Sequence, residues 1–348
     1  MINFGKINYI VKPLVVVLTM LLSLLAKADE KILINGAGAT FPAPIYMKWF
    51  QDYNHAHPAV EINYQSIGSG GGIKQLTKKT VDFGASDAPM TDEEINKVGA
   101  SVLHIPTVLG AVVVTYNIPG LKTSLNLDGA LVAQIFSGEV SRWNDPKIQA
   151  LNPGVALPSQ SIVVVYRSDS SGTTAVFTEY LAKVNQNWKT SVGSGKAVKW
   201  PTGLGGKGNE GVTGQIKNTI GSIGYVELSY ALAEKLSMAS IKNKSGKFIL
   251  PSIASVSAAA EGALKSMPED FRVSITDAEG VKAYPISAFT YLLVFKDMKG
   301  PKGKELVNFL NWAMLTGQND ASRLSYAPLP RSMVAKVQKR IQEIQIQE

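Results

Sequence analysis

Arg167-Ser168-Asp169-Ser170-Ser171-Gly172-Thr173 is the stretch on which the reading of this 348-residue chain turns. An apolar run, residues 162–165, enters it as a strand, and Val176, Phe177, Tyr180, Leu181 and Val184 leave it at helical spacing. The turn therefore lies at a helix N-terminus, where the first backbone N–H groups lack intrahelical partners and the dipole favours negative charge. Ser171, Gly172 and Thr173 bring backbone and hydroxyl donors to that point, and Arg167 adds a planar charged fork. Taken alone, the same residues also suit an ordinary Asp/Ser helix cap beside a surface arginine.

Three earlier segments repeat the plan of strand, turn and helix. Ile32-Leu33-Ile34 leads into Asn35-Gly36-Ala37-Gly38-Ala39-Thr40-Phe41-Pro42, after which Ile45, Trp49, Phe50 and Tyr53 share a helical face. Gly36 and Gly38 begin a dinucleotide fingerprint, but Phe41 stands where its third glycine belongs. Residues 60–64 alternate as a strand before Gly68-Ser69-Gly70-Gly71-Gly72 opens a helix over 73–79. The glycines there suit either close backbone approach to an anion at Ser69 or a flexible linker. In Val81-Asp82-Phe83-Gly84-Ala85-Ser86-Asp87-Ala88-Pro89, Asp87 occupies the turn as a ligand contact or a turn-stabilising carboxylate. Thr91 and Glu94 then form a capping-box signature.

Composition narrows the function. Lys6 and Lys12 precede an apolar run over 14–25, and Ala26-Lys27-Ala28 supplies small residues for a signal peptidase, so the expected leader is 1–28, cleaved before Asp29. Twelve apolar residues fall short of the roughly 20 that span a bilayer. The chain has no cysteine, which removes disulfides and a lipid-attachment thiol and favours a free periplasmic protein stabilised by its own core; a monomer is the expected state. Its formal charge of +8, less the three leader lysines, leaves +5 on the mature chain. Those charges are interspersed, so nucleic acid is not an expected partner. Three histidines (His55, His57, His104) offer few metal ligands; neither metal nor cofactor is expected.

Residues 108–114 and 288–295 read as apolar strands that pair and cross between two lobes: 29–112 with 288–348, and 113–287. Helical patterns over 302–316 and at Val334, Val337, Ile341 and Ile344 read as core-facing. Gly203-Leu204-Gly205-Gly206-Lys207-Gly208 formally matches G-x-G-x-x-G, but a poor preceding strand makes a cleft-rim loop the expectation. Alternating strands and helices indicate an α/β architecture with ligand sites at the carboxyl ends of strands.

Together, Gly36 to Pro44, Ile67-Gly68-Ser69, Val81 to Pro89 and Arg167 to Thr173 resemble the ligand loops of the phosphate-binding proteins that serve the high-affinity phosphate ABC transporter of bacteria. Trp143-Asn144-Asp145, Leu151-Asn152-Pro153, residues 203–209 and Gly224-Tyr225-Val226-Glu227 resemble that family's framework, so the likeness covers the mature chain. It implies a type II periplasmic binding fold, two α/β lobes joined by two crossover strands and closing on one phosphate. Carried over, the phosphate ligands are Thr40, Phe41, Ser69, Asp87, Arg167, Ser171, Gly172 and Thr173, with Asp169 orienting the arginine. Gly70 departs from the family, where serine is common. The implied role is periplasmic capture of phosphate and delivery to the permease subunits and ATPase of an ABC transporter, without covalent chemistry. The competing readings are an exported phosphatase or other hydrolase, which the absence of a G-x-S-x-G elbow disfavours, and a sulphate or molybdate carrier.

Overall fold

The computed structural model describes residues 31–264 and 267–347; the leader and its cleavage point lie outside them. Strands β1 (Ile32–Gly38), β2 (Val60–Ser66) and β3 (Phe83–Ser86) run parallel, each followed by a helix: α1 (Ala43–Ala56), α2 (Ser69–Thr77) and α3 (Asp92–Val98). The capping box is present, with Thr91 Oγ1 accepting from Glu94 N and the Glu94 carboxylate from Thr91 N. On α1, Ile45, Tyr46, Trp49, Phe50 and Tyr53 are buried on one face.

The next strand, β4 (Val102–Tyr116), organises the rest, and all 15 of its residues are buried. Its apolar run is what a strand covered on both faces requires. Further along the chain come β5 (Val163–Arg167), α4 (Gly172–Val184), β6 (Leu204–Gly206), α5 (Gly208–Asn218), β7 (Ser222–Glu227) and β8 (Ser287–Phe295). They extend one sheet in the order β2-β1-β3-β8-β4-β7-β5-β6, with a short strand, Ser237–Met238, also on β4. β4 pairs with β8 from Val102–Phe295 to Ala111–Ser287, then changes partner to β7 from Val112–Glu227 to Tyr116–Ile223.

β4 starts earlier than the apolar run at 108–114. A bulge allows this: Thr290 opposes Val108 and Tyr291 opposes Pro106, leaving Thr107 without an opposite residue. Proline contributes no N–H to a ladder, so a bulge is where a strand tolerates it.

Residues 203–208 correct the expectation of a rim loop. β6 pairs in parallel with β5 from Val165–Leu204 to Arg167–Gly206, and Gly208 opens α5. A Cβ on Gly206 would lie 2.7 Å from Val212 N, so this glycine serves close strand–helix packing. The helix expected over 302–316 is α6 (Gly300–Trp312) continued by a π-helical turn, Ala313–Gly317. Helix α7 (Arg331–Ile341) buries Met333, Val337 and Ile341, and the following Gln345–Gln347 pairs with Asp297–Lys299, an unforeseen small sheet. Among the described residues no helix is long and apolar enough to cross a membrane.

Candidate anion-binding site

Four turns at the carboxyl ends of β1, β3, β5 and β6, with the first residues of α2, converge on one buried cluster. Thr40 lies two residues before the α1 cap Pro42, and Ser69 begins α2. Ser171 caps α4, and Gly172 and Thr173 form its first turn. Thr40, Phe41, Ser69, Asp87, Arg167, Ser171 and Thr173 are each 3% exposed or less.

The hydroxyls share one pattern. Thr40 Oγ1 accepts from Asn209 N at 3.1 Å and Asn209 Nδ2 at 2.8 Å. Ser69 Oγ accepts from Gly172 N at 3.1 Å and Asp87 N at 3.3 Å, and Ser171 Oγ from Thr174 N at 3.0 Å. Each oxygen is held by a protein donor, which leaves its own proton to give away. Ser171 is thus both helix cap and candidate donor, so the two readings of its turn coexist.

Asp169 fixes Arg167 in the bidentate geometry: Nε to Oδ1 at 2.8 Å and Nη2 to Oδ2 at 2.6 Å. The remaining arm, Nη1, reaches Thr173 Oγ1 at 3.2 Å. Burial alone would raise Asp169, but the Arg167 guanidinium and the Gly208 N–H, 3.0 Å from Oδ1, hold its carboxyl below the ordinary value. Asp169 thus aims the guanidinium, leaving Nη1 directed at the Thr173 hydroxyl.

Asp87 differs in kind, being an acceptor among donors. Its Oδ1 accepts from Thr290 Oγ1 at 3.0 Å, and its Oδ2 lies 3.5 Å from Thr173 Oγ1. Burial pushes its carboxyl up to about 7, against the opposing effects of Thr290, Arg167 and Thr173. In its ionised form a carboxylate so placed repels an anion that presents only lone pairs and accepts a hydrogen bond from an oxygen that carries a proton; in its protonated form it donates.

Several members of this cluster were not identified as site residues from sequence. Asn209 joins Thr40 to Thr173 Oγ1, 3.4 Å from its Nδ2, and receives Glu227 N on its Oδ1 at 2.9 Å. Tyr225 OH accepts Arg167 N at 3.1 Å and contacts Thr174 Oγ1 at 2.7 Å. Thr290 holds Asp87. The glycines at 203–208 were the available signal for Asn209, since they mark another strand-to-helix turn. Gly70 also has a reason: a Cβ there would lie 2.0 Å from Ser170 Oγ, so the Ser170 side chain fills the space a serine would need.

Histidine takes no part in this cluster. His55 and His57 are exposed at the end of α1, and buried His104 accepts Met90 N at 3.0 Å through Nε2. No group of three metal-ligating residues occurs among the described residues.

A fold of two α/β halves around a shared strand, with helix N-termini meeting at one buried polar cluster, fits the PBP superfamily, and a model of the PBP superfamily domain matches residues 25–315. The chain is 44% identical over 323 residues to the phosphate-binding protein PstS of Pasteurella multocida strain Pm70, covering 92% of this chain and 93% of that one. It is 41% identical over 331 residues to the PstS of Methanocaldococcus jannaschii, covering 88% and 84%. The chain belongs to the PstS family of phosphate-binding proteins. Its fold matches a high-affinity periplasmic phosphate-binding protein bound with phosphate at a TM-score of 0.71, with 22% identity and coverage of 88% and 93%. It matches a phosphate-binding protein from Stenotrophomonas maltophilia at 0.68, with 18% identity and coverage of 89% and 94%.

Proposed function

We propose that this chain is an exported phosphate receptor. It captures inorganic phosphate between lobes 29–112 with 288–348 and 113–287, and delivers it to the permease subunits and ATPase of an ABC transporter. Thr40, Phe41, Ser69, Asp87, Arg167, Ser171, Gly172 and Thr173 hold the anion. The observation that carries this reading is the enclosure of one acceptor, Asp87, within a shell of donors that includes a preset arginine. That polarity suits an oxyanion still bearing a proton, which favours phosphate over sulphate or molybdate.

The energetics agree. Exposed helix termini contribute only about 0.3–1 kcal/mol each, well below the roughly 8 kcal/mol of micromolar binding. Charge-assisted hydrogen bonds of about 1.5–3 kcal/mol apiece, made where water is excluded, supply the remainder. Calorimetry against phosphate, sulphate and molybdate tests the reading, with heat expected for phosphate alone. Release of p-nitrophenol from p-nitrophenyl phosphate would support the hydrolase alternative instead.

The receptor is read as a periplasmic monomer whose leader is removed before Asp29. Intact mass of periplasmic material checks that boundary; soluble protein retaining residues 1–28 would contradict it. Two-lobe closure is checked by X-ray scattering, with a smaller radius of gyration expected on adding phosphate.

A further inference from the structure

Thr290 lies on β8 one position beyond the Tyr291–Ser86 pair, beside Asp87 at the end of β3. It is fully buried. The β4–β8 ladder shifts register between Thr290 and Tyr291, at the bulge that skips Thr107. Bulges re-aim side chains near functional sites, and this one is locked from behind. Thr107 Oγ1 donates to the Thr290 carbonyl at 3.1 Å, Tyr46 OH lies 2.7 Å from the same Oγ1, and Gln318 Nε2 donates to Thr107 O at 2.8 Å. The single hydroxyl proton of Thr290 goes to Asp87 Oδ1 at 3.0 Å, whereas Oδ2 has the longer, 3.5 Å contact with Thr173.

We propose that Thr290 is a positioning residue for anion selectivity: by donating to Asp87 Oδ1 it keeps the carboxylate an acceptor and presents Oδ2 to the protonated oxygen of the bound phosphate. The inference rests on the phosphate reading above. Around Asp87, Arg167 from β5 favours the ionised form, while Asp169 in the following turn and Glu227 at the end of β7 oppose it. Tyr46 from α1, Tyr64 from β2 and Tyr326 after α6 stay uncharged, because burial raises their hydroxyls. Burial also raises Asp87, and the Thr290 hydrogen bond works against it. Without that bond Asp87 holds its proton to higher pH, and a protonated carboxyl donates to sulphate as readily as to phosphate.

The test is competition of sulphate against phosphate from pH 5 to 8 for wild type, Thr290→Val and Thr290→Ser. Thr290→Val is expected to lose about tenfold in phosphate preference near neutrality, the worth of one hydrogen bond to a charged group. Its pH profile should shift upward, and Thr290→Ser should restore both preference and profile. A folded Thr290→Val with unchanged preference, or with uniformly weaker phosphate binding and an unshifted profile, overturns the proposal. If Thr290→Val does not fold, Thr290→Ala carries the same expectations. A wild type that binds no phosphate sinks the functional reading itself, and this inference with it, which the wild-type isotherm alone decides.

Discussion

Ser69 Oγ and Gly172 N lie 3.1 Å apart although 103 residues separate them in the chain, and this bond joins the two halves of the sheet within the buried cluster. A Cβ on Gly172 would fall 2.3 Å from that same oxygen and 2.6 Å from Asp87 Oδ2. Gly172→Ala is therefore expected to oppose closure. Overpacking of this kind costs about 1–3 kcal/mol, so phosphate affinity should drop by about fivefold to over a hundredfold by calorimetry. Unchanged affinity would place the ligand elsewhere.

Arg167→Lys retains the charge but loses the fork that Asp169 holds on two nitrogens while a third reaches Thr173. A loss of about 2 kcal/mol, roughly thirtyfold in affinity, is expected. Arg142→Lys is the control, because Arg142 is exposed and donates only to Ser159 O. Equal affinities for wild type and both variants would remove Arg167 from the site.

Asp87→Asn replaces an acceptor oxygen by an amide that donates. Phosphate binding should persist and sulphate should begin to compete, as measured at fixed ionic strength. If the anion ratio does not move, Asp87 is only a turn residue.

Two buried carboxyls give the ligand-free protein a defined pH dependence. Burial raises Asp87 to about 7 and Glu227 to about 8, from ordinary values of 3.8 and 4.5. Both groups bind protons more tightly folded than unfolded, so their stabilisation is full below pH 4 and is lost as pH rises through 7 and 8. Thermal midpoints should fall from pH 5 to 8, and Glu227→Gln should flatten the upper part of that slope. A midpoint that climbs with pH in both proteins would show that these carboxyls are charged throughout.

Lys196 joins the two halves, its ammonium 2.8 Å from Glu94 Oε2, while its backbone carbonyl receives Ser171 N at 2.7 Å. Glu94→Gln keeps a side chain suited to the α3 capping box but removes the ion pair. Partly exposed pairs are worth about 0.2–1 kcal/mol, so phosphate release should quicken by about 1.4-fold to fivefold and lose some salt sensitivity in stopped-flow traces. Glu93→Gln, which removes an exposed pair with Lys97 on the same helix, should leave release unchanged.

The turns that converge on the buried cluster were legible because each follows an apolar strand and precedes a periodic helix, a pattern that places Thr40, Ser69, Asp87 and Ser171 at strand ends with no knowledge of the sheet. Thr290 was not legible. It sits inside an apolar strand, and its role arises from a bulge at Thr107, next to Pro106 on the facing strand, that only the pairing reveals. Asn209 was hidden for a different reason: β6 is Leu-Gly-Gly, too short and too bare of side chains to carry a strand period. The tail at 345–347 found its place through backbone pairing, which leaves no mark in composition.

β4 makes the two halves unequal as independent objects. Its residues 112–116 supply the neighbour that β7 needs, and buried apolar residues from both halves form one contiguous cluster. A fragment consisting of the inserted half alone, cut after Val112, would keep those edge residues only as a frayed terminus. Its sheet would be left open to pairing with other copies. Calorimetric melting of the whole chain should accordingly give one cooperative transition, and limited proteolysis should nick surface loops long before it severs the halves.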